Sequence, residues 1–161
     1  MRLCGAIVRQ SEINIMTINE IQDEIIDEFS GLDDWMDRYA YIIELGNALE
    51  PLPEKDKVPA NLIEGCQSRV WITASQDESG KLIFRADSDA LIVKGIISLL
   101  IRVLSGQTAD DILNADLYFI PAIGLDQHLS PTRSNGLLAM VKQMKLYARA
   151  FKALGEADTE N

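Results

Sequence analysis

At residues 91–103 the chain reads Leu91-Ile92-Val93-Lys94-Gly95-Ile96-Ile97-Ser98-Leu99-Leu100-Ile101-Arg102-Val103. Apolar side chains cover most faces of this stretch when it is wound into a helix, which is typical of a buried helix. Ser105-Gly106 follows, and glycine is common where a helix ends. We therefore predict that a central helix organises the fold.

Two runs of β-forming residues precede this helix, at residues 67–75 and 81–86. A loop of about five residues that contains Gly80 separates the two runs, so they predict an antiparallel hairpin. Residues 118–121 are a candidate third strand, which Pro121 would confine to an edge or an end.

Helical spacing of apolar residues recurs in three further segments, at residues 18–29, 34–49 and 131–154, and residues 109–113 are predicted to form a short acidic turn. Asp34 or the neighbouring Asp33, Thr108 and Ser130 are suitable N-caps, because their side-chain oxygens can accept hydrogen bonds from unpaired helix amides. Gly155 is expected to end the last helix. The predicted fold class is α+β, with a small antiparallel sheet of about three strands packed against helices.

The composition restricts the partners that the protein can have. Of its 161 residues, 15 are basic and 25 are acidic, which gives a net charge of -10. This charge repels phosphate backbones and anionic lipids, so neither nucleic acid nor a membrane is expected as a partner. Two cysteines in a domain of this size require no disulfide, and a cytoplasmic location is the simplest interpretation.

Three segments are expected along the chain. Residues 1–15 are interpreted as an N-terminal extension or a mis-assigned start, because Met16 is an alternative first residue and Arg9 interrupts the short apolar run. Residues 16–154 form a single predicted domain, and residues 155–161 an acidic flexible tail. Cys4, in the extension, is assigned no function.

The second cysteine lies in a distinctive context, Glu64-Gly65-Cys66-Gln67-Ser68, between a proline-rich segment and the first predicted strand. Gly65 permits a sharp turn and can hold the next side chain at the apex of a loop. A free cysteine is often only a small buried hydrophobe. A reactive one must form a thiolate, which Arg69, Arg133 or a cationic partner could stabilise.

His128 is the only histidine of the chain. A Cys66–His128 pair would predict a cysteine hydrolase, since histidine is a common activator of a thiol nucleophile. A lone histidine is also a common structural residue, and the sequence reveals neither an oxyanion site nor a partner that would orient the imidazole. Both interpretations stay open at this stage.

Three further charged residues are candidates for a site. Arg133 lies in the first turn of a predicted helix, where the helix dipole disfavours a cation, so we expect an anionic neighbour or a salt bridge. Asp87 and Asp89 precede the central helix and are first of all capping candidates. One well-placed cysteine and one histidine are too few for a zinc or iron–sulfur site, and no cofactor is expected.

Four blocks of the chain match a family pattern in the expected order: Gly65-Cys66-Gln67-Ser68 with Val70-Trp71, Asp87-Ser88-Asp89, Val93-Lys94-Gly95, and residues 128–137. With these blocks the chain resembles the SufE-type sulfur acceptors, the SufE and CsdE family of accessory proteins of cysteine desulfurases. The resemblance extends from about Trp35 to about Leu154 and implies a compact fold like that of the cluster-scaffold proteins.

The resemblance also implies a function. A pyridoxal-phosphate cysteine desulfurase of the SufS type would carry a persulfide, from which Cys66 takes the outer sulfur. The protein would stimulate this enzyme without independent turnover and relay sulfur to an iron–sulfur scaffold of the SufBCD type. The residues expected to shape or support the site are Glu64, Gly65, Gln67 and Ser68 in the loop, Asp87 and Asp89 beside it, and His128 and Arg133 on the adjoining element.

Overall fold

The structure is a computed structural model and describes residues 16–160, so the predicted extension with Cys4 lies outside the described residues. Nine helices and strands follow one another in this part of the chain: α1 (Ile18–Ser30), α2 (Trp35–Asn47), β1 (Val70–Gln76), β2 (Leu82–Ser88), α3 (Leu91–Leu104), α4 (Ala109–Asn114), α5 (Phe119–Ala122), α6 (Leu125–His128) and α7 (Pro131–Glu160). Two short 3-10 turns, Glu54–Asp56 and Pro59–Asn61, connect α2 to the segment before β1. The predicted α+β class is confirmed.

The sheet of the described residues has two antiparallel strands, β1 and β2, with Val70 opposite Ser88 and Gln76 opposite Leu82. Loop segments occupy parts of both outer edges. The amide of Ile63 donates to the carbonyl of Val70 at 2.8 Å, and the amide of Gly106 donates to the carbonyl of Leu82 at 2.7 Å. These bonds satisfy edge groups that would otherwise be open to pairing with another chain.

The predicted third strand is wrong, because residues 119–122 form the short helix α5 instead. Pro121 is the third residue of this helix, a position whose amide has no partner within a helix, so proline removes nothing there. Phe119 is fully buried in the core. Its burial stabilises the helical turn in place of strand pairing.

Helix α3 occupies the centre, as predicted. Most of its apolar side chains are buried, and it packs between α2 on one side and strand β2 on the other. The α2–α3 contact is very close: a Cβ on Gly95 would lie 2.1 Å from the carbonyl oxygen of Ile42, and a Cβ on Gly46 would lie 2.6 Å from the amide nitrogen of Gly95. None of the helices in the described part of the chain is both long and apolar enough to cross a membrane.

Two of the predicted helix caps are present in the structure, and one predicted helix end is not. Asp34 and Thr108 cap α2 and α4 with their side chains, as predicted. The predicted end of the last helix at Gly155 is wrong, because α7 continues to Glu160. A glycine that ends a helix usually adopts a positive φ, and Gly155 does not.

Candidate functional site

The Cys66 loop begins with a left-handed turn. Gly65 has a φ of 92°, a conformation that side chains with a Cβ rarely adopt. The next residue, Cys66, is half-buried, and its Sγ lies 3.7 Å from the carbonyl oxygen of Gly136 in α7, to which the thiol donates a weak hydrogen bond. The turn thus directs the thiol toward the first part of α7 while Glu64 and Gln67 stay exposed.

A cavity of about 380 Å³ lies beside the thiol. Its buried wall comes from α3 and α7, through the side chains of Val93, Ile96 and Met140. Its other lining residues are polar or small: Gln67 and Ser68 of the loop, and Ser130, Thr132, Arg133 and Gly136 around the start of α7. The cavity therefore joins an apolar interior to a polar rim, and Cys66 is part of its lining.

Burial raises the pKa of the Cys66 thiol, because an apolar environment disfavours the charged form. At neutral pH the thiol is therefore mainly protonated in this conformation, and a protonated thiol is a poor nucleophile. Exposure of the thiol to water, or the approach of a cation, would favour the thiolate.

The buried carboxylate of Asp87, only 4% exposed, holds the segment that precedes the loop. It accepts hydrogen bonds from the amides of Leu52, at 3.1 Å, and Ser88, at 2.8 Å, and pairs with Lys57 at 3.5 Å and Lys94 at 3.4 Å. Burial raises the pKa of Asp87, but the two amides and the two ammonium groups outweigh burial and lower it below its ordinary value.

The predicted capping of α3 by Asp87 or Asp89 is wrong. The N-cap is Ala90, which has no side chain that could accept a hydrogen bond from the helix amides, and Ser88 Oγ accepts from the Ala90 amide. Asp89 instead accepts from the amide of Arg69 at 3.0 Å, and Ser88 Oγ donates to the Arg69 carbonyl at 2.8 Å. Both bonds attach the end of the Cys66 loop to the end of β2.

Asp87→Asn is expected to lower the free energy of unfolding at pH 7 by about 1–3 kcal/mol, because an amide cannot pair with two ammonium groups and leaves buried donors poorly satisfied. The folded-state pKa of Asp87 lies below its ordinary value, so its carboxylate stabilises the fold above that ordinary value, and the stabilisation is lost as the pH falls through the lowered pKa. The difference between wild type and variant should therefore shrink below about pH 4.

Urea unfolding at pH 7 and at about pH 3 measures this difference. Asp89→Asn is the matched control, since Asp89 is exposed and accepts only the Arg69 amide among the described residues. We expect a smaller loss for the control. Equal losses for the two variants, at both pH values, would show that the buried network of Asp87 contributes nothing of its own.

Arg133, in the first turn of α7, lies on the rim of the Cys66 cavity. One of its guanidinium nitrogens, Nη1, donates to the hydroxyl of Tyr39 in α2 at 3.3 Å. Among the residues that the structure describes, no carboxylate pairs with this guanidinium. A salt bridge of Arg133, one of the two possibilities that the sequence suggested, is therefore not formed in the described part of the chain.

The side chain of His128 lies outside the Cys66 cavity. Its exposed imidazole stacks on the indole of Trp35, with ring centroids 4.4 Å apart and planes 14° apart, and it does not line the Cys66 cavity. The Cys66–His128 pair that a cysteine hydrolase needs is not assembled in this conformation. Trp35 and Tyr39 of α2 are only partly buried; Trp35 contacts His128, and Tyr39 contacts Arg133.

Six residues that line the cavity were not among the site residues predicted from the sequence: Val93, Ile96, Ser130, Thr132, Gly136 and Met140. Four of them, Val93, Ser130, Thr132 and Gly136, lie in the family blocks, and Gly136 and Met140 are four residues apart, a spacing that puts both on one face of a helix. That spacing does not reveal that the face is turned toward Cys66.

Comparisons with known proteins identify the family of the chain. The family described as "SufE: Fe-S metabolism associated domain" matches residues 23–148. An uncharacterized SufE-like protein of Rhizobium etli is 44% identical over 135 residues, which are 81% of this chain and 91% of that protein. The solution structure of a hypothetical protein from Thermus thermophilus has a TM-score of 0.67 at 22% identity, over 83% of this chain and 96% of that one, and shows a likeness of fold alone. By the extent of the family match and the identity to its relative, the chain belongs to the SufE family, whose domain is associated with iron–sulfur metabolism.

Proposed function

We propose that this protein accepts sulfur from a cysteine desulfurase on Cys66 and relays it to the assembly of iron–sulfur clusters. The observation that supports the proposal most is the position of Cys66, a half-buried thiol on a loop, in the lining of a cavity large enough to admit a reacting group. The family places the chain in iron–sulfur metabolism. The donor would be a pyridoxal-phosphate enzyme of the SufS type and the recipient a scaffold of the SufBCD type.

The transfer is an exchange between sulfur atoms. The Cys66 thiolate attacks the outer sulfur of the desulfurase persulfide, a new S–S bond forms at Cys66, the old S–S bond breaks, and the desulfurase cysteine leaves as a thiolate. Cys66 then holds the persulfide until the scaffold removes it. The protein has no turnover of its own in this scheme, because its thiol is restored only by the recipient.

The burial of Cys66 suits such a relay. A thiol whose pKa is raised by burial is less readily oxidised while no sulfur donor is bound. Docking of the desulfurase would move the loop outward, expose the thiol to water and to the partner's charges, and thereby favour the thiolate. A reducing cytoplasm would keep Cys66 unpaired between transfers.

Intact mass spectrometry tests the proposal directly. The purified protein is incubated with a SufS-type desulfurase, pyridoxal phosphate and cysteine, and we expect a gain of one sulfur atom that maps to the peptide containing Cys66 and disappears on reduction. A mixture without cysteine is the control. An unchanged mass, or added sulfur on Cys4 alone, would exclude Cys66 as the acceptor.

A further inference from the structure

The cavity beside Cys66 is larger than the transfer of one sulfur atom requires. Its volume is about 380 Å³. Sites for small molecules occupy roughly 300–1,000 Å³, and an apolar cavity of about 150 Å³ already accommodates benzene. The space beside the thiol is therefore sufficient for a compound of the size of a modified amino acid.

The rim of this cavity carries a cation that no carboxylate of the described residues neutralises. Within the described residues Arg133 donates one hydrogen bond to a neutral group, the hydroxyl of Tyr39, and forms no ion pair. The hydroxyl-bearing residues Ser130 and Thr132 lie on the same rim. A guanidinium with free N–H groups is well suited to a carboxylate, which it can bind through two parallel hydrogen bonds.

The cavity thus combines a thiol, an apolar wall and an unneutralised guanidinium within the dimensions of a small molecule. We propose that it binds low-molecular-weight persulfides of thiols that carry a carboxylate, and that Cys66 takes the outer sulfur from them without a desulfurase. The apolar wall of Val93 and Met140 would contact the carbon chain while Arg133 holds the carboxylate. This inference rests on the proposed function, since it assigns a second donor to the same thiol.

The step balances without any further reagent. The Cys66 thiolate attacks the outer sulfur of R–S–SH, the S–S bond of the small persulfide breaks, and a new S–S bond forms at Cys66 Sγ. The outer sulfur keeps its proton, and the small thiol leaves as the thiolate R–S⁻. The Cys66 sulfur is oxidised by two electrons, and the same two electrons reduce the inner sulfur of the small persulfide to the thiolate.

Two matched probes test the role of the carboxylate: the persulfides of N-acetylcysteine and of N-acetylcysteamine, which differ only in that group. The full-length protein is mixed with each probe alone, and the rate at which sulfur appears on the Cys66 peptide is followed by mass spectrometry after alkylation. A net charge of -10 would slow the anionic probe, so a preference for it must come from a local cation. We expect saturable kinetics and a preference of about tenfold for the carboxylate probe, the range of a charge-assisted hydrogen bond.

Arg133→Ala should reduce the ratio of the two rates to about one or below it, whereas Lys142→Ala should leave the ratio unchanged. Lys142 is the matched control because it is an exposed cation of the same helix that does not line the cavity. The inference is overturned if the two probes react equally with the wild type, or if Arg133→Ala keeps the preference. If the desulfurase still loads Cys66 in that case, the proposed function stands and only the small-molecule donor is excluded; if neither donor loads it, both are wrong.

Discussion

Cys66→Ser is expected to reduce desulfurase stimulation to the rate of the desulfurase alone, while the variant still binds that enzyme. Serine has nearly the same shape and can donate to the Gly136 carbonyl as the thiol does, so the loop should keep its conformation. A hydroxyl cannot accept a sulfur atom by exchange, because that reaction requires a thiolate nucleophile. We therefore expect Cys66→Ser to abolish sulfur transfer and to change the affinity for the desulfurase only slightly.

The measurement is the rate of sulfide release from cysteine by a SufS-type desulfurase, with and without the protein, together with a calorimetric titration of the pair. Cys4→Ser is the matched control, since it removes the other thiol of the chain. We expect full stimulation from the control. Stimulation by Cys66→Ser equal to that of the wild type would refute the relay and leave only a binding effect.

Gly95→Ala is expected to produce the largest loss of stability, about 3 kcal/mol or more, at the upper end of the range for overpacked cores. The added Cβ would lie 2.1 Å from the Ile42 carbonyl oxygen and 2.5 Å from Ile42 Cγ2. The first of these atoms belongs to the backbone of α2, so the clash cannot be relieved by rotating a side chain. The two helices would have to separate, which would open voids in the core around α3.

Thermal unfolding measures this effect, and the expected fall in the midpoint is roughly 6–12 °C for a chain of this length. Gly155→Ala is the matched control: Gly155 is also a helical glycine, but a Cβ there would meet nothing within 4 Å. Since alanine favours a helix over glycine by about 1 kcal/mol, the control should be as stable as the wild type or slightly more stable. If Gly95→Ala unfolds at the same midpoint temperature as the wild type, the tight α2–α3 contact is disproved.

The sequence predicted most of the fold because local patterns determine most of its elements. The apolar stretch of α3, the β-forming runs around Gly80 and the caps at Asp34 and Thr108 each act within a few residues. The two errors have different origins. Residues 119–122 form a helical turn that buries Phe119 in the core, whereas Gly155 has no positive φ and α7 continues through it to Glu160.

For the site, the sequence alone predicted Cys66 as the reactive residue, because Cys66 directly follows Gly65 and lies within the family blocks. Only the tertiary structure decided which residues surround it. The cavity forms where the Cys66 loop, α3 and the start of α7 meet, and no spacing along the chain encodes that meeting. The same packing stacks His128 on Trp35 and leaves Arg133 on the cavity rim, because the relative position of two helices depends on the whole core rather than on either helix.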